Sequence, residues 1–225
     1  MEPAQSEFID ERIEKLLKRI EFTPGKNIVV FVDTGAAIDA EGEFTRWKLQ
    51  NSNAKLERIY NSLFNKGLQL YVTAPVFEEM SRHHCTYVIN GRPEISDSNF
   101  KIVERLHKDY ESFLQNVHHN EMERDSVRRD VYWASYFAFK EDDKKGERDP
   151  ISYVDREFIS SAVLARYAHS PHNVKNASGV VERVVKRPDK VILLSPDSHV
   201  KKTIDMLLNI QPQYDGIKTV SSRQT

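Results

Sequence analysis

The chain has 225 residues, a formal net charge of −1 and a hydrophobic content of 39%. This length and apolar content suit a single domain with a sizeable core and exclude disorder throughout the chain. The small net charge argues against a protein that wraps nucleic acid by bulk electrostatics, because that mode of binding needs a large basic excess.

The sequence also limits the cellular context. Every apolar stretch is far shorter than the roughly 20 residues that a membrane span requires. The start, Met1-Glu2-Pro3, lacks the basic and apolar segments of a secretion signal. The single cysteine, Cys85, excludes an internal disulfide and a CxxC metal site. We therefore expect a cytoplasmic protein without a membrane partner.

The first elements in chain order are a helix and a buried strand. Apolar residues recur at helical spacing over residues 6–20, which predicts a leading helix. The uninterrupted run Ile28-Val29-Val30-Phe31-Val32 is typical of a strand buried on both faces in a parallel sheet, and it ends at Asp33. Ligands of such sheets gather beyond the carboxyl ends of the strands, so Asp33 is well placed for chemistry.

A helix–strand–helix sequence follows. The spacing predicts a helix over residues 56–64, which Gly67 can cap, and a strand over residues 68–73. Pro75 suits the first turn of the next helix, which carries Glu78 and Glu79.

Residues 83–146 are predicted to form a helical insertion with two long helices, over residues 100–117 and 127–138. The second helix carries four aromatic residues, Tyr132, Trp133, Tyr136 and Phe137. An aromatic stripe at helical spacing is more often part of a core, so base stacking by these rings is the less favoured interpretation.

The remaining chain again alternates between helices and strands. We predict a helix over residues 151–167, a loop over 170–188 with a turn near 180–185, a strand over 191–194, a helix over 200–208 and a strand over 217–220. Strands separated by helices imply right-handed crossovers and a parallel sheet covered on both faces. The expected fold is therefore a three-layer α/β/α domain.

Four acids stand just after predicted strands or early in the following helices, namely Asp33, Glu79, Asp155 and Asp197. Parallel strands share one carboxyl edge, so these side chains can face a single point. Crowded carboxylates repel one another, and Mg²⁺ or Mn²⁺ favours hard oxygen ligands. The pattern thus predicts a divalent-cation site.

These acids carry a resemblance to the PIN-domain family of metal-dependent nucleases. The similar stretches are Val30-Phe31-Val32-Asp33-Thr34, Thr73-Ala74-Pro75-Val76-Phe77-Glu78-Glu79-Met80, Asp155-Arg156-Glu157-Phe158-Ile159-Ser160-Ser161-Ala162 and Val191-Ile192-Leu193-Leu194-Ser195-Pro196-Asp197. The chain departs from the family pattern at Gly35, where many members have asparagine, and around His199, where a further acid is common.

The resemblance implies a PIN-like domain spanning residues 1–225 and a Mg²⁺- or Mn²⁺-dependent nuclease, favouring an endoribonuclease on single-stranded RNA, with DNA as an alternative. A cation would lower the pKa of a bound water that attacks phosphorus. Asp33 and Asp197 are expected as direct ligands, completed by Glu79 and Asp155. Thr34 and Ser195 are expected to support the ligands as hydroxyl donors, with Ser195 orienting Asp197.

Each of these residues also has a simpler explanation. Asp155 follows Ser152 at the spacing of a capping box, and Asp197 can serve only as the N-cap of its helix. Glu79 can be a surface glutamate, with Glu78 as a rival. Asp33 is the hardest to explain without a function. A carboxylate at the end of a strand buried on both faces loses its hydration, and hydrogen bonds or a positive charge must offset that loss.

Basic and histidine clusters give weaker signals. Phosphate contacts are candidate roles for Lys186, Arg187, Lys201 and Lys202, although solvated surface is the commoner role of such clusters. The pairs His83-His84 and His118-His119 invite a zinc site, which we disfavour because adjacent histidines on a helix point apart.

Other functions remain open at this point. A catalytically silent PIN-like binding module would keep the acids without productive geometry. Asp33-Thr34-Gly35 also matches the signature of aspartic proteases, but those need a Gly-rich all-β body and this chain has only eight glycines. A phosphatase of another α/β family would need an aspartate where Gly35 stands. A protein partner such as an antitoxin, and a homo-oligomer, are further alternatives.

Overall fold

A computed structural model describes residues 14–38, 61–89, 91–115, 121–140, 151–167, 172–175, 181–185 and 188–221. Helices in these residues are α1 (14–19), α2 (34–38), α3 (61–65), α4 (Ala74–Cys85), α5 (Asp97–Gln115), α6 (Glu121–Phe139), α7 (Tyr153–Tyr167) and α8 (Ser198–Ile210). Strands are β1 (Ile28–Val32), β2 (Gln69–Tyr71), β3 (Val88–Ile89), β4 (Arg92–Pro93), β5 (His172–Lys175), β6 (Val181–Val185), β7 (Lys190–Leu194) and β8 (Ile217–Val220).

The described helices agree with the predicted pattern where the two overlap. Residues 6–13 of the predicted leading helix and 56–60 of the second helix lie outside the described residues. None of the helices in the described ranges combines the length and apolar character needed to cross a bilayer.

The central sheet has four strands in the order β2-β1-β7-β8, and every pairing in it is parallel. The prediction of an α/β fold with a parallel sheet is confirmed, and the arrangement is compatible with three α/β/α layers. Strand β1 matches β7 in register from Ile28 opposite Lys190 to Val32 opposite Leu194. Both strands therefore end at the same level.

The strand order creates a switch point between β1 and β7. From β1 the chain proceeds to β2 on one side, whereas from β7 it proceeds to β8 on the other side. The segments that leave the two central strands lead to opposite sides of the sheet, and in parallel sheets such a switch point at the carboxyl edge is where ligands bind. Asp33 follows β1 at this position, and Ser195 follows β7.

The central strands are buried because both of their faces are apolar. Val29 and Phe31 are completely inaccessible, and they belong to one hydrophobic cluster that includes residues of β2, β7, β8 and the major helices. The Phe31 ring makes edge contacts with Tyr71 and Tyr110, each at a centroid distance of 5.8 Å. Truncating such a buried ring to alanine costs about 3–5 kcal/mol, so Phe31 anchors β1 and with it Asp33.

Two antiparallel hairpins are absent from the predicted pattern. Strands β3 and β4 pair between α4 and α5, so the predicted helical insertion is not helical throughout. Strands β5 and β6 pair where a loop was predicted, and that part of the prediction is wrong. These strands lack the uninterrupted apolar run that identified β1 and β7, since polar residues interrupt or flank them and such a mixture also fits a loop.

The aromatic stripe of α6 is not part of the core. Its four rings, Tyr132, Trp133, Tyr136 and Phe137, are 41–45% exposed. The helix instead buries the opposite side, with Val127, Val131, Ala134, Ser135 and Phe139. The interpretation of the stripe as core is therefore wrong, because helical spacing identifies residues that share a face but not which face is covered.

Candidate functional site at the carboxyl edge of the sheet

Asp33 is held rigidly at the centre of the switch point. Its backbone N–H donates to the carbonyl of Leu194 at 3.1 Å, which extends the β1–β7 ladder by one residue. Its side chain is only 6% exposed. Oδ2 accepts a 2.6 Å hydrogen bond from the hydroxyl of Ser195, and the Thr34 N–H also donates to the carboxylate. The acid is thus oriented from both strands.

Ser195 orients Asp33, whereas the sequence analysis expected it to orient Asp197. The Ser195 N–H donates to the carbonyl of Val220 at 3.1 Å, and its Oγ accepts the Asp197 N–H at 3.1 Å. Ser195 therefore contacts Asp197 only at its backbone, because the Asp197 carboxylate turns toward the start of α8. The hydroxyl proton of Ser195 is then available to Asp33.

Glu79 is tied to the loop after β1. Thr34 Oγ1, which is buried, donates to Glu79 Oε2 at 2.6 Å. Pro75 lies in the first turn of α4, and this helix turns Glu79 inward while Glu78 is exposed. The two glutamates lie on different sides of α4. Glu79 lies at the site, whereas Glu78 faces solvent.

Asp155 forms part of the capping arrangement that its spacing predicted. Its N–H donates to Ser152 Oγ at 3.1 Å, and the same hydroxyl donates to Asp155 Oδ2 at 2.7 Å. Within the described residues, no hydrogen bond engages Asp155 Oδ1. Capping therefore occupies one carboxylate oxygen and leaves the other available to a ligand.

Asp197 is the N-cap of α8. Its Oδ1 accepts the His199 N–H at 2.7 Å, and the His199 Nδ1 lies 3.0 Å from the same oxygen. The His199 ring contacts Phe139 at the end of α6, with a centroid distance of 5.0 Å. No role for His199 was predicted, although its place two residues after an N-cap aspartate is a signal available in the sequence.

The four acids act on one another electrostatically. The pKa of Asp33 is raised to about 6, mainly by burial and further by Asp155 and Glu79, against the lowering effect of its hydrogen bonds from Ser195 and Thr34. The pKa of Asp155 is also raised, mainly by burial and further by Asp197 and Glu79, although its bond with Ser152 opposes the shift. Asp155 therefore interacts with all three other acids.

The donor set suits a hard cation, but it is not a closed cage. Across the described ranges, no group of three or more His, Cys, Asp or Glu side chains has the geometry of a metal site. Mg²⁺ commonly binds through one or two carboxylates and retains several waters. Two of these acids with water would satisfy that requirement. Burial is the main cause of the raised pKa values of Asp33 and Asp155, and the neighbouring acids raise them further.

Gly35, in α2, and Pro196, in the loop after β7, bring the exits from the two central strands into close contact. A Cβ atom added at Gly35 would lie 2.7 Å from Pro196 Cγ and 3.8 Å from Asp33 Oδ2. Real Cβ atoms essentially never approach so closely, so only glycine fits without a shift of the proline. This contact explains why Gly35 occupies a position where a larger residue would separate the two exits.

Of the basic residues considered for phosphate contacts and the histidines considered for a zinc site, those that the structure describes do not take part in the contacts among the four acids. Lys201 and Lys202 are exposed on α8, while Lys186 and Arg187 lie outside the described residues, as do His118 and His119. His83 Nδ1 contacts Glu94, whereas His84 Nδ1 lies 2.8 Å from the carbonyl of Ile95. Adjacent histidines thus reach different partners, as helical geometry predicts.

The chain matches no protein-family model, no curated protein and no solved structure.

Proposed function

We propose that this chain is a PIN-like nuclease that depends on Mg²⁺ or Mn²⁺ and cleaves single-stranded RNA internally, with a three-layer α/β/α fold. The observation that carries the proposal is the buried carboxylate of Asp33 at the switch point, whose pKa is raised to about 6 beside other acids. A buried acid without a compensating positive charge is costly to retain, and a bound cation would supply that charge.

The roles of the residues follow from their contacts. Asp33 and Asp155 are the best candidates for direct ligands, because Ser195 orients Asp33 and capping leaves one oxygen of Asp155 unused by the described residues. Glu79, held by Thr34, and Asp197, at the start of α8, would bind through water or complete the set. When bound, the cation would supply an acidified water as nucleophile and neutralise charge on the phosphate.

The alternatives differ in what they require. An aspartic protease needs a Gly-rich all-β body, and Asp33-Thr34-Gly35 here follows a strand of a parallel α/β sheet. A silent binding module keeps the same acids without cleavage, so only an activity measurement separates it from the nuclease. DNA remains an alternative substrate, because attack by water does not need a 2′-hydroxyl.

The test is incubation of the protein with end-labelled single-stranded RNA and DNA in Mn²⁺, Mg²⁺ or chelator. We expect internal cleavage that leaves 5′-phosphates and stops in chelator. Asp33→Asn and Asp197→Asn should abolish cleavage while the protein stays folded, because each change removes charge and keeps shape. Unchanged cation-dependent cleavage in both variants would reject the proposal, and Glu78→Gln is the matched control, since Glu78 is exposed.

A further inference from the structure

The outer side of α6 presents an aromatic face, which we define as Tyr132, Trp133, Tyr136 and Phe137. These residues form two rows at i and i+4, and each ring is 41–45% exposed. Neighbouring centroids within the face are 5.5–5.9 Å apart. Single exposed rings are ordinary, but a contiguous group of four indicates an interaction surface.

Basic residues extend both rows of the aromatic face. Arg128 and Arg129 lie one turn before it, Lys140 lies one turn after Tyr136, and all three are exposed. The charge of Arg128 is offset by Glu157 at 2.8 Å and by the exposed Asp125 at 3.9 Å. The outward positions 128, 129, 132, 133, 136, 137 and 140 include no carboxylate. The surface thus combines π faces with positive charge, which complements bases and phosphates.

Helix α6 approaches the acidic edge at two points, one through Tyr132 of the aromatic face and one through Phe139 on its buried side. The Arg156 guanidinium lies 5.9 Å from the Tyr132 ring centroid, and Arg156 is the next residue after Asp155. At the end of α6, Phe139 contacts His199, whose Nδ1 lies 3.0 Å from Asp197 Oδ1. Helix α6 therefore passes beside the beginnings of both helices that carry these acids.

We propose that the aromatic face binds single-stranded nucleic acid by stacking bases on its rings while Arg129 and Lys140 contact phosphates. The identification of this strand as the substrate of the acidic edge rests on the proposed nuclease function. Bases in a duplex have their faces covered by neighbouring pairs, so the surface favours single strands. A second copy of the chain is the competing occupant, and the experiment separates the two.

Binding is measured by fluorescence anisotropy with labelled single strands of about 12 nucleotides, a length within the site sizes common for such surfaces. RNA and DNA are tested separately, in chelator, so that cleavage does not interfere. Each loss of a ring, by Trp133→Ala or Tyr136→Ala, is expected to weaken binding about fivefold or more. Circular dichroism checks that these exposed substitutions leave the fold intact.

Conservative variants distinguish stacking from general apolar contact. Trp133→Phe and Tyr136→Phe keep a π face and should bind nearly as tightly as the unaltered protein, whereas Trp133→Leu should not. Tyr87→Ala removes an exposed ring that lies after α4, and it should leave affinity unchanged. Equal affinity for the unaltered protein and the Trp133→Ala/Tyr136→Ala variant would overturn the proposal.

Trp133 also provides a direct signal, since the chain has two tryptophans and Trp47→Phe leaves it as the sole one. Stacked bases should quench its fluorescence, and inorganic polyphosphate, which lacks bases, should not. Quenching by polyphosphate to the same extent would reject stacking. Sedimentation showing that the alanine variants only convert a dimer to a monomer would reject it as well.

The two proposals fail separately. Binding in chelator does not need the acids, so Asp33→Asn should retain affinity for single strands. Absence of cleavage under every condition would reject the nuclease and leave a positive binding result standing. Cleavage that stops in Asp33→Asn, combined with unchanged binding in the alanine variants, would reject the aromatic face alone.

Discussion

The hydroxyl of Ser195 donates a 2.6 Å hydrogen bond to Oδ2 of Asp33, although 162 positions separate the two residues in the chain. This bond joins the ends of the two central strands and lowers the pKa of an acid that burial raises. It makes Ser195 a positioning residue for the acidic edge.

Ser195→Ala should reduce cleavage about 10- to 100-fold, the usual loss when a partner of a metal ligand is removed. At subsaturating Mn²⁺, activity of the unaltered protein should fall as the pH drops through about 6, because protonated Asp33 binds a cation poorly. In Ser195→Ala this midpoint should move to higher pH. The matched control is Ser160→Ala, because Ser160 is buried and its Oγ has no hydrogen-bond partner among the described residues. Equal pH midpoints in both variants would contradict the role of Ser195.

Asp33→Asn should stabilise the protein at pH 7 in chelator. The folded pKa of about 6 lies above the ordinary 3.8, so between these pH values the unfolded chain releases a proton that the native state retains. The free energy of unfolding therefore falls as the pH rises through this window, by about 3 kcal/mol at most, and then stays level. Urea unfolding at pH 4 and pH 7 measures this loss of stability, which Asp33→Asn should reduce by the contribution of Asp33 while that of Asp155 remains.

Mg²⁺ or Mn²⁺ should raise the unfolding temperature of the unaltered protein. A ligand that binds only the native state at 100 times its Kd stabilises it by about 2.7 kcal/mol. The gain should disappear in Asp33→Asn, which has lost the charge that the cation neutralises. Thermal unfolding with Mn²⁺ and with chelator gives the comparison, and an equal gain in both proteins would place the cation elsewhere.

The Asp155 capping interaction can be separated from its proposed ligand role. Ser152→Ala removes the cap and should cost about 1 kcal/mol of stability while cleavage persists. Asp155→Asn keeps an oxygen that can accept from Ser152, so it should remain folded but lose cleavage. Full cleavage by folded Asp155→Asn would reduce Asp155 to a capping residue.

Gly35→Ala should destabilise the protein by about 1–3 kcal/mol, because the new Cβ would lie 2.7 Å from Pro196 Cγ. Pro196→Ala removes the obstructing ring, so the double variant should recover part of this loss. A double-mutant cycle from urea unfolding measures the coupling. Strictly additive effects would show that the two exits do not constrain each other.

The sequence alone was enough to predict the strands that carry the candidate site. The apolar runs before Asp33 and Ser195 correspond to β1 and β7, because burial on both faces demands uninterrupted apolar residues. The predicted last strand, 217–220, coincides with β8. The Ser152–Asp155 cap was also predictable, since its partners lie within one helical turn.

Contacts between distant segments were decided only by the tertiary structure. Local spacing could not show that Ser195 would serve Asp33, that Gly35 would meet Pro196, or that the aromatic face of α6 would be exposed. Periodicity records which side chains share a face or a strand end. Which partner covers that face, and which oxygen each hydroxyl reaches, depends on how the elements pack together in space.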